Sequence, residues 1–317
     1  SISDSDEIII KGGGFLHAHK GLKETYFFLR ILYPIMIAII LKKSIKIFPH
    51  SIGPIFGRTN KLMAKYIFSK IDIIMVREEL SYQFLKNLGL SMKNVRIVPD
   101  IAFVIDKIDE EFGTEFIKNY SGQAKKGALK VGITVRPWSF PEISDESEKL
   151  YKNYLNSFKG LINHLLNTYG AQIFIMPQVI GPDNRENDLI AAKEIMKAFP
   201  DNPYIHLIEQ DLNPEALKSI YGQMNIFVGT RMHSVIFATE MGVPCIAISY
   251  QGNKTKGIMK MLGMQEYILD IYSLDKIGLI DATERLIKNI SGVKNILLYN
   301  TSKFKNCIQK VIREYYA

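Results

Sequence analysis

The chain has 317 residues, 47% hydrophobic and 23% charged, with a formal net charge of +8. This is ordinary globular composition at a length that can hold two domains, each with its own core. The modest positive charge favours anionic ligands, but Lys and Arg are not interleaved with aromatics as in a nucleic-acid module, and two cysteines make neither a disulfide framework nor a metal set.

In chain order, Glu7–Ile10 reads as a buried strand leading into Lys11 and the run Gly12, Gly13, Gly14. Glycines there permit positive φ and close backbone approach to a ligand. The run is not a GxGxxG fingerprint and lacks the Lys-Ser/Thr of a P-loop, which excludes dinucleotide and nucleoside-triphosphate binding on this pattern. His17 and His19 lack a third ligand, so no metal is expected. Residues 26–41, YFFLRILYPIMIAIIL, form the one strongly apolar stretch. It is shorter than the ~20 residues of a membrane span. It reads as a buried core helix, kinked or restarted at Pro34; the alternative is a helix lying in a membrane interface. A strand over 45–48 runs into an irregular loop with His50 and Ser51 at the strand's end. A helix over 60–70 follows, then a strand over 73–76. Arg77 and Glu78 stand at its end, where Arg77 either reaches a ligand or pairs with Glu78 or Glu79. A helix over 80–88 and a strand over 95–98, ending in Pro99 and Asp100, complete the first domain.

Residues 106–129 read as a charged linker with one short helix over 110–120. A second series of strands and helices begins at 130. The strand over 131–135 ends in Arg136, Pro137 and Trp138, the one Trp of the chain. A helix over 146–169 follows, then a strand over 173–176 with Gln178 near its carboxyl end. Further strands are expected over 204–208, 226–228 and 245–249, making five, with helices over 190–199 and from an Asn213 cap to Tyr221. Helices over 274–290 and 295–315 close the chain. Strand–helix alternation on both sides of a linker predicts two parallel-sheet domains with right-handed crossovers. They occupy residues 1–105 and 130–275, with the closing helices over 276–317.

The chemistry concentrates at Gly229-Thr230-Arg231-Met232-His233, between the strand over 226–228 and a helix expected over 234–241. A helix N-terminus at a strand's carboxyl end suits an anion. Thr230 is placed to cap the helix. Arg231 brings a planar fork matched to phosphate or carboxylate, and His233 a group that titrates near neutral pH. The plain structural alternative is a capping turn whose Arg pairs with an acidic neighbour.

The stretch GTRMHSVIFATEMGVPCIAISY, followed by Lys254 and Gly257, resembles the C-terminal signature of the polysaccharide pyruvyl transferases. Weaker likenesses run back to Glu7 through the Gly-rich turn and a Ser-Ile-Gly-Pro loop at 51–54. The family's pattern has a further strand and an Asn-x-Gly-Asp type loop ahead of this point, and this sequence opens without them. The resemblance implies two Rossmann-like domains in a GT-B-like arrangement with a cleft between them. It implies transfer of pyruvyl from phosphoenolpyruvate to a sugar diol as a cyclic ketal, with release of phosphate. It makes His233 the catalytic acid–base residue. Arg231, Arg136 and Lys254 become the anion-binding residues, and Gly13, Gly14, His50 and Gln178 line the substrate. The loop at 251–253 is one residue longer than the family's form. No cofactor or metal is expected beyond phosphoenolpyruvate as donor substrate. The acceptor is a saccharide, lipid-linked in one version. The expected location is the cytoplasm, at the inner membrane face in that version, with peripheral membrane contact. Two rivals stand beside this reading. One is a GT-B glycosyltransferase using a nucleotide sugar, for which Glu240 is the one acidic residue near the turn. The other is a non-catalytic polysaccharide-assembly protein.

Overall fold

A computed structural model of the protein describes residues 2–105, 108–120, 127–141, 143–250 and 254–316. The order is β1 (Glu7–Ile10), β2 (Leu16–Ala18), α1 (Leu22–Ile40), β3 (Ser44–His50), β4 (Ile52–Ile55), α2 (Arg58–Phe68), β5 (Ile73–Val76), α3 (Glu79–Asn87), β6 (Val95–Ile97) and α4 (Glu110–Lys118). It continues with β7 (Lys130–Thr134), α5 (Ser147–Tyr169), β8 (Gln172–Ile175), α6 (Asp188–Met196), β9 (Ile205–Leu207), α7 (Pro214–Tyr221), β10 (Ile226–Gly229) and α8 (Met232–Glu240). The last elements are β11 (Cys245–Ser249), α9 (Lys254–Met261), β12 (Ile268–Asp270), α10 (Lys276–Lys288) and α11 (Ile290–Tyr316).

Two compact units result. The first takes Ser1–Val104, Gln251–Met261 and Lys303–Ala317; the second takes Ile105–Tyr250 and Leu262–Ser302. A division into successive stretches of chain therefore misses two returns to the first unit. The segment read as a linker holds α4, which packs on α7 in the second unit. The contact is close: a Cβ on Gly113 would lie 2.4 Å from the Ser219 carbonyl oxygen. The rest of that linker reading, at 106–107 and 121–126, lies outside the described residues.

In the first unit β1-β3-β5-β6 form a parallel sheet, and β2 pairs with β4. Its core joins Phe28, Leu32, Ile35 and Ala38 of α1 to Ile45 and Ile47 of β3 and Ala64, Ile67 and Phe68 of α2. Helix α1 runs on through Pro34. It is a core helix on that one face, and its opposite face is exposed.

In the second unit the order is β12-β11-β10-β7-β8-β9, all pairs parallel. Read from β7 as the first strand, this is the Rossmann order 3-2-1-4-5-6, with β12 as a sixth strand beyond the five expected. Every residue of β8, β10 and β11 is buried, as a sheet covered on both faces requires. Asn213 caps α7 as expected, and Asp109, Asn187 and Asp275 likewise accept a backbone N–H of their own helix's first turn.

Candidate functional site

The strand order of the second unit's sheet reverses between β7 and β10, and ligands of such sheets bind at the carboxyl ends on either side of that switch. Thr134 of β7 pairs with Gly229 of β10. Arg136 and Arg231 each follow their paired residue by two positions, so the two strand ends present one arginine apiece. Tyr154 of α5, fully buried, ties these ends together. Its hydroxyl accepts the Arg136 N–H at 3.1 Å and bonds Thr230 Oγ1 at 2.8 Å. Thr230 is thus spent on Tyr154. Arg231 itself occupies the N-cap position, without a side-chain cap. Ser234 secures the first turn instead, donating to the Arg231 carbonyl at 2.6 Å and bonding Thr134 Oγ1 at 2.7 Å. Gly229 is needed there, because a Cβ would meet Val235 at 2.6 Å.

Helix α8 begins two residues earlier than expected and takes His233 into its first turn. Of its nine residues His233 alone is exposed; the rest are buried. A single imidazole therefore stands at the solvent boundary of a helix start, where N–H groups lack intrahelical partners.

The arginines have carboxylate partners. Arg231 donates from Nε and Nη2 to Asp188, at 3.0 and 2.8 Å to Oδ1, and from Nη1 to Glu186 Oε2 at 2.8 Å. Arg136 donates from Nη2 to Glu186 Oε1 at 3.1 Å, and its guanidinium lies over Tyr250 at 4.6 Å and Trp138 at 5.0 Å. The plain alternative for Arg231, an acidic partner, is present, and Arg136 stacks on its neighbour Trp138. The two carboxylates differ. Asp188 is fully buried and also accepts the N–H groups of Gln178 and Val179, both at 3.1 Å. The Glu186 side chain is 47% exposed and bridges both arginines. Burial raises the Glu186 carboxyl, yet Arg231 and Arg136 outweigh it and hold it below the ordinary glutamate value. Burial lifts Asp188 above its ordinary value against the pull of Arg231. Gln178 joins the cluster, its Oε1 accepting the Tyr221 hydroxyl at 3.0 Å.

The first unit carries a second cluster at its own carboxyl edge. Arg77 follows β5 and is 1% exposed. It pairs with neither Glu78 nor Glu79. Its Nη1 reaches Asp100, past β6, at 2.5 Å, and its Nε donates to Ser51 Oγ at 2.7 Å. Its Nη2 has no hydrogen-bond partner among the described residues and lies 3.3 Å from where a Cβ on Gly14 would be. None of Gly12, Gly13 and Gly14 takes a left-handed φ. They are needed for room: a Cβ would meet the Pro49 carbonyl at 2.7 Å from Gly12 and the Phe15 ring at 2.8 Å from Gly13. His50 is fully buried, with Nδ1 3.3 Å from the Lys11 carbonyl and Nε2 3.4 Å from the Leu16 N–H. Burial first, then the Arg77 charge, push it down to about 3, with Lys254 acting in the same direction. His50 thus holds the two ends of the glycine run as a neutral ring. Lys254 opens α9 in this unit, and Gly257 lets α9 lie against Glu78, 2.7 Å from where a Cβ would be. The loop at 251–253 lies outside the described residues.

The structure therefore brings Arg231, Arg136, Gln178 and His233 into the second unit and Gly13, Gly14, His50 and Lys254 into the first. The partners Glu186, Asp188 and Asp100 are absent from the sequence reading as site residues. Each lies at or just past a turn following a strand's carboxyl end, a position that makes it a candidate partner for a buried arginine without telling which arginine it meets. Among the described residues no group of three or more His, Cys, Asp or Glu side chains is arranged to hold a metal.

Solved structures with this fold include the S. aureus MnaA–UDP co-structure, with a TM-score of 0.60 at 11% identity over 97% of this chain and 76% of that one. The α,α-trehalose 6-phosphate synthase of Burkholderia multivorans gives 0.60 at 11%, over 97% and 70%. The UDP-GlcNAc 2-epimerase of Neisseria meningitidis bound to UDP-GlcNAc gives 0.58 at 13%, over 98% and 76%. At such identities these show the fold alone, the GT-B-like class of two Rossmann-like α/β units. In sequence, the amylovoran biosynthesis protein AmsJ of Erwinia amylovora is 23% identical over 261 residues, 81% of this chain and 61% of the relative. The chain thus spans less than two thirds of that relative's length. The family model described as polysaccharide pyruvyl transferase matches residues 1–252, which hold both clusters except Lys254. The chain belongs to the polysaccharide pyruvyl transferase family.

Proposed function

We propose that the protein is a transferase of exopolysaccharide or cell-wall polysaccharide synthesis that moves pyruvyl from phosphoenolpyruvate onto a sugar diol. The observation that carries this is His233, the single exposed residue of α8, two positions from an arginine that shares a half-exposed carboxylate with Arg136. Such a carboxylate occupies the place an anionic ligand takes. Phosphate or carboxylate of the donor displaces Glu186 from Arg136 and Arg231, while Asp188 keeps Arg231 in position. Bidentate, charge-assisted contacts of this kind are the strong ones.

Ketal formation needs a proton at the methylene carbon of the enol, which becomes the methyl group. His233 donates it. The resulting oxocarbenium-like centre takes one sugar hydroxyl, the C–O bond to phosphate breaks, and the second hydroxyl closes the ring. One hydroxyl proton restores His233 and the other leaves with phosphate. The chemistry needs no metal, and activity should persist in a chelator. The carboxyl edge of the first unit at Gly13 and Gly14 is assigned to the saccharide acceptor, and Lys254 to assistance with the anion. His50, buried with both ring nitrogens on backbone groups, supports that edge from behind and does not touch the substrate as expected. For a nucleotide-sugar enzyme, Glu240 would have to meet a ribose. It lies instead in a buried ion pair with Lys218 at 2.5 Å.

The test is His233→Gln. Phosphoenolpyruvate affinity by calorimetry should stay within a few-fold, while phosphate release with a galactose- or mannose-type acceptor falls ~100- to 10,000-fold. Arg136→Ala should instead weaken binding by ~2–5 kcal/mol. A wild-type protein that binds UDP-sugars and not phosphoenolpyruvate would replace this proposal with the glycosyltransferase one.

A further inference from the structure

A surface helix buries one stripe and turns polar residues to water. Helix α1 does not. Its buried stripe is Phe28, Leu32, Ile35 and Ala38. The outer stripe is Leu22, Tyr26, Leu29, Tyr33, Met36 and Ile40, spaced alternately by four and three residues and 37% to 91% exposed. The spacing makes one continuous apolar line along a helix about 28 Å long. Helix α2, in contact with α1, adds exposed Leu62 and Tyr66, again four apart.

Charge marks the same segment. From Thr25 to Ile71 there is no Asp or Glu, and there are eight Lys or Arg residues. That charge equals the +8 of the whole chain, so all other residues together balance to zero. Arg30, Lys42, Arg58, Lys61, Lys65 and Lys70 are exposed on these two helices or at their ends.

We infer that the outer faces of α1 and α2 dock the protein on an anionic lipid bilayer, with the outer stripe of α1 lying in the interface. An apolar helix face flanked by Lys and Arg and bearing Tyr is the pattern such binding uses. No described helix is long and apolar enough to cross a membrane, so the contact is peripheral. A second copy of the chain fits poorly. Two such faces brought together would oppose lysines and arginines, with Glu24 at the start of α1 as the single acid on the two helices to pair them. The inference rests on the surface alone and stands whether or not the pyruvyl transfer reading holds.

Vesicle flotation tests it, with phosphatidylcholine vesicles and vesicles containing phosphatidylglycerol. Wild type should float with the anionic vesicles, at least ~10-fold more than with the neutral ones, and lose binding as salt rises. The double variants Tyr33→Ser with Ile40→Ser, and Lys61→Glu with Lys65→Glu, should each cut partitioning ~10-fold or more with an unchanged melting temperature. Ile277→Ser removes an equally exposed apolar side chain of the second unit, 71% exposed, and should change nothing. Flotation with neither vesicle, or equal flotation of all variants, overturns the inference. So does self-association abolished by Tyr33→Ser with Ile40→Ser in a protein that ignores vesicles, which would make a second copy the occupant.

Discussion

The two sheets end in arginines that are handled in opposite ways. At the carboxyl edge of the first unit, Arg77 is sealed at 1% exposure against Asp100, itself buried, and the neighbouring imidazole of His50 is held neutral. At that of the second unit, Arg231 divides its fork between a buried carboxylate and a half-exposed one, and Arg136 leans on the exposed one. The same residue type at a sheet's carboxyl edge is thus held by a buried acid in one unit and partly by a half-exposed one in the other. What decides between them is the solvent exposure of the acid.

The largest effect that sharpens this contrast lies at the sealed pair. Asp100→Ala leaves a buried guanidinium without its counter-charge, and removing one partner of such a pair costs ~3–5 kcal/mol. Urea denaturation should show that loss in the midpoint with little change in slope. A loss below about 1 kcal/mol would show that Arg77 is solvated after all and erase the distinction between the two edges.

His50 gives the next effect, read against pH. Its ordinary value is near 6.5, and in the fold it is pushed down to about 3. Between those limits the unfolded chain takes up a proton that the folded chain refuses. The stability contribution is therefore whole above pH 6.5 and is lost as pH falls toward 3. The slope approaches about 1.4 kcal/mol per pH unit. Thermal melts from pH 6.5 to 5 should fall more steeply for wild type than for His50→Phe. Equal slopes would mean that the ring accepts a proton in the folded state.

Much of this was legible in the sequence, and the failures have causes. Strands over 73–76 and 245–249 match their expected bounds, because buried parallel strands read as short apolar runs. The strand over 7–10 matches its bounds but is not the buried strand expected, since it lies at the sheet's edge with no residue buried. Strand β12 was missed because three residues carry no periodicity, and its pairing to β11 supplies what the local sequence lacks. The turn with Arg231 and His233 was visible because a strand, a glycine and a helix frame it. Glu186 and Asp188 were not, because their role depends on β8 and β10 ending at the same edge of one sheet, which no local pattern states. Of the two reasons for glycine at 12–14, positive φ is absent, and Gly12 and Gly13 supply room beside Pro49 and Phe15 instead. Helix α1 shows the reverse case. Its hydrophobicity was plain, but only the fold separates the stripe that faces the core from the one that faces outward.

The smallest effect on stability decides most about the second unit. Glu186→Gln keeps the shape of the side chain and removes its charge. Because that side chain is half exposed, its ion pairs contribute little, and the melting free energy should change by less than about 1 kcal/mol. The same substitution raises the positive potential shared by Arg136 and Arg231, since Glu186 is the carboxylate that Arg136 pairs with and Arg231 then keeps Asp188 alone. An incoming anion no longer has to displace a carboxylate held below its ordinary value by those very arginines. Affinity for phosphoenolpyruvate, and for inorganic phosphate as a smaller probe, should rise ~3- to 10-fold, equivalent to ~1 kcal/mol. The gain should shrink as salt screens the site. Asp188→Asn supplies the contrast: it strips Arg231 of its buried partner and should cost stability on the scale of Asp100→Ala. If Glu186→Gln weakens anion binding instead, Glu186 is not the group an anion displaces but one that helps to hold the ligand, and the exchangeable edge would have to be sought elsewhere along the sheet.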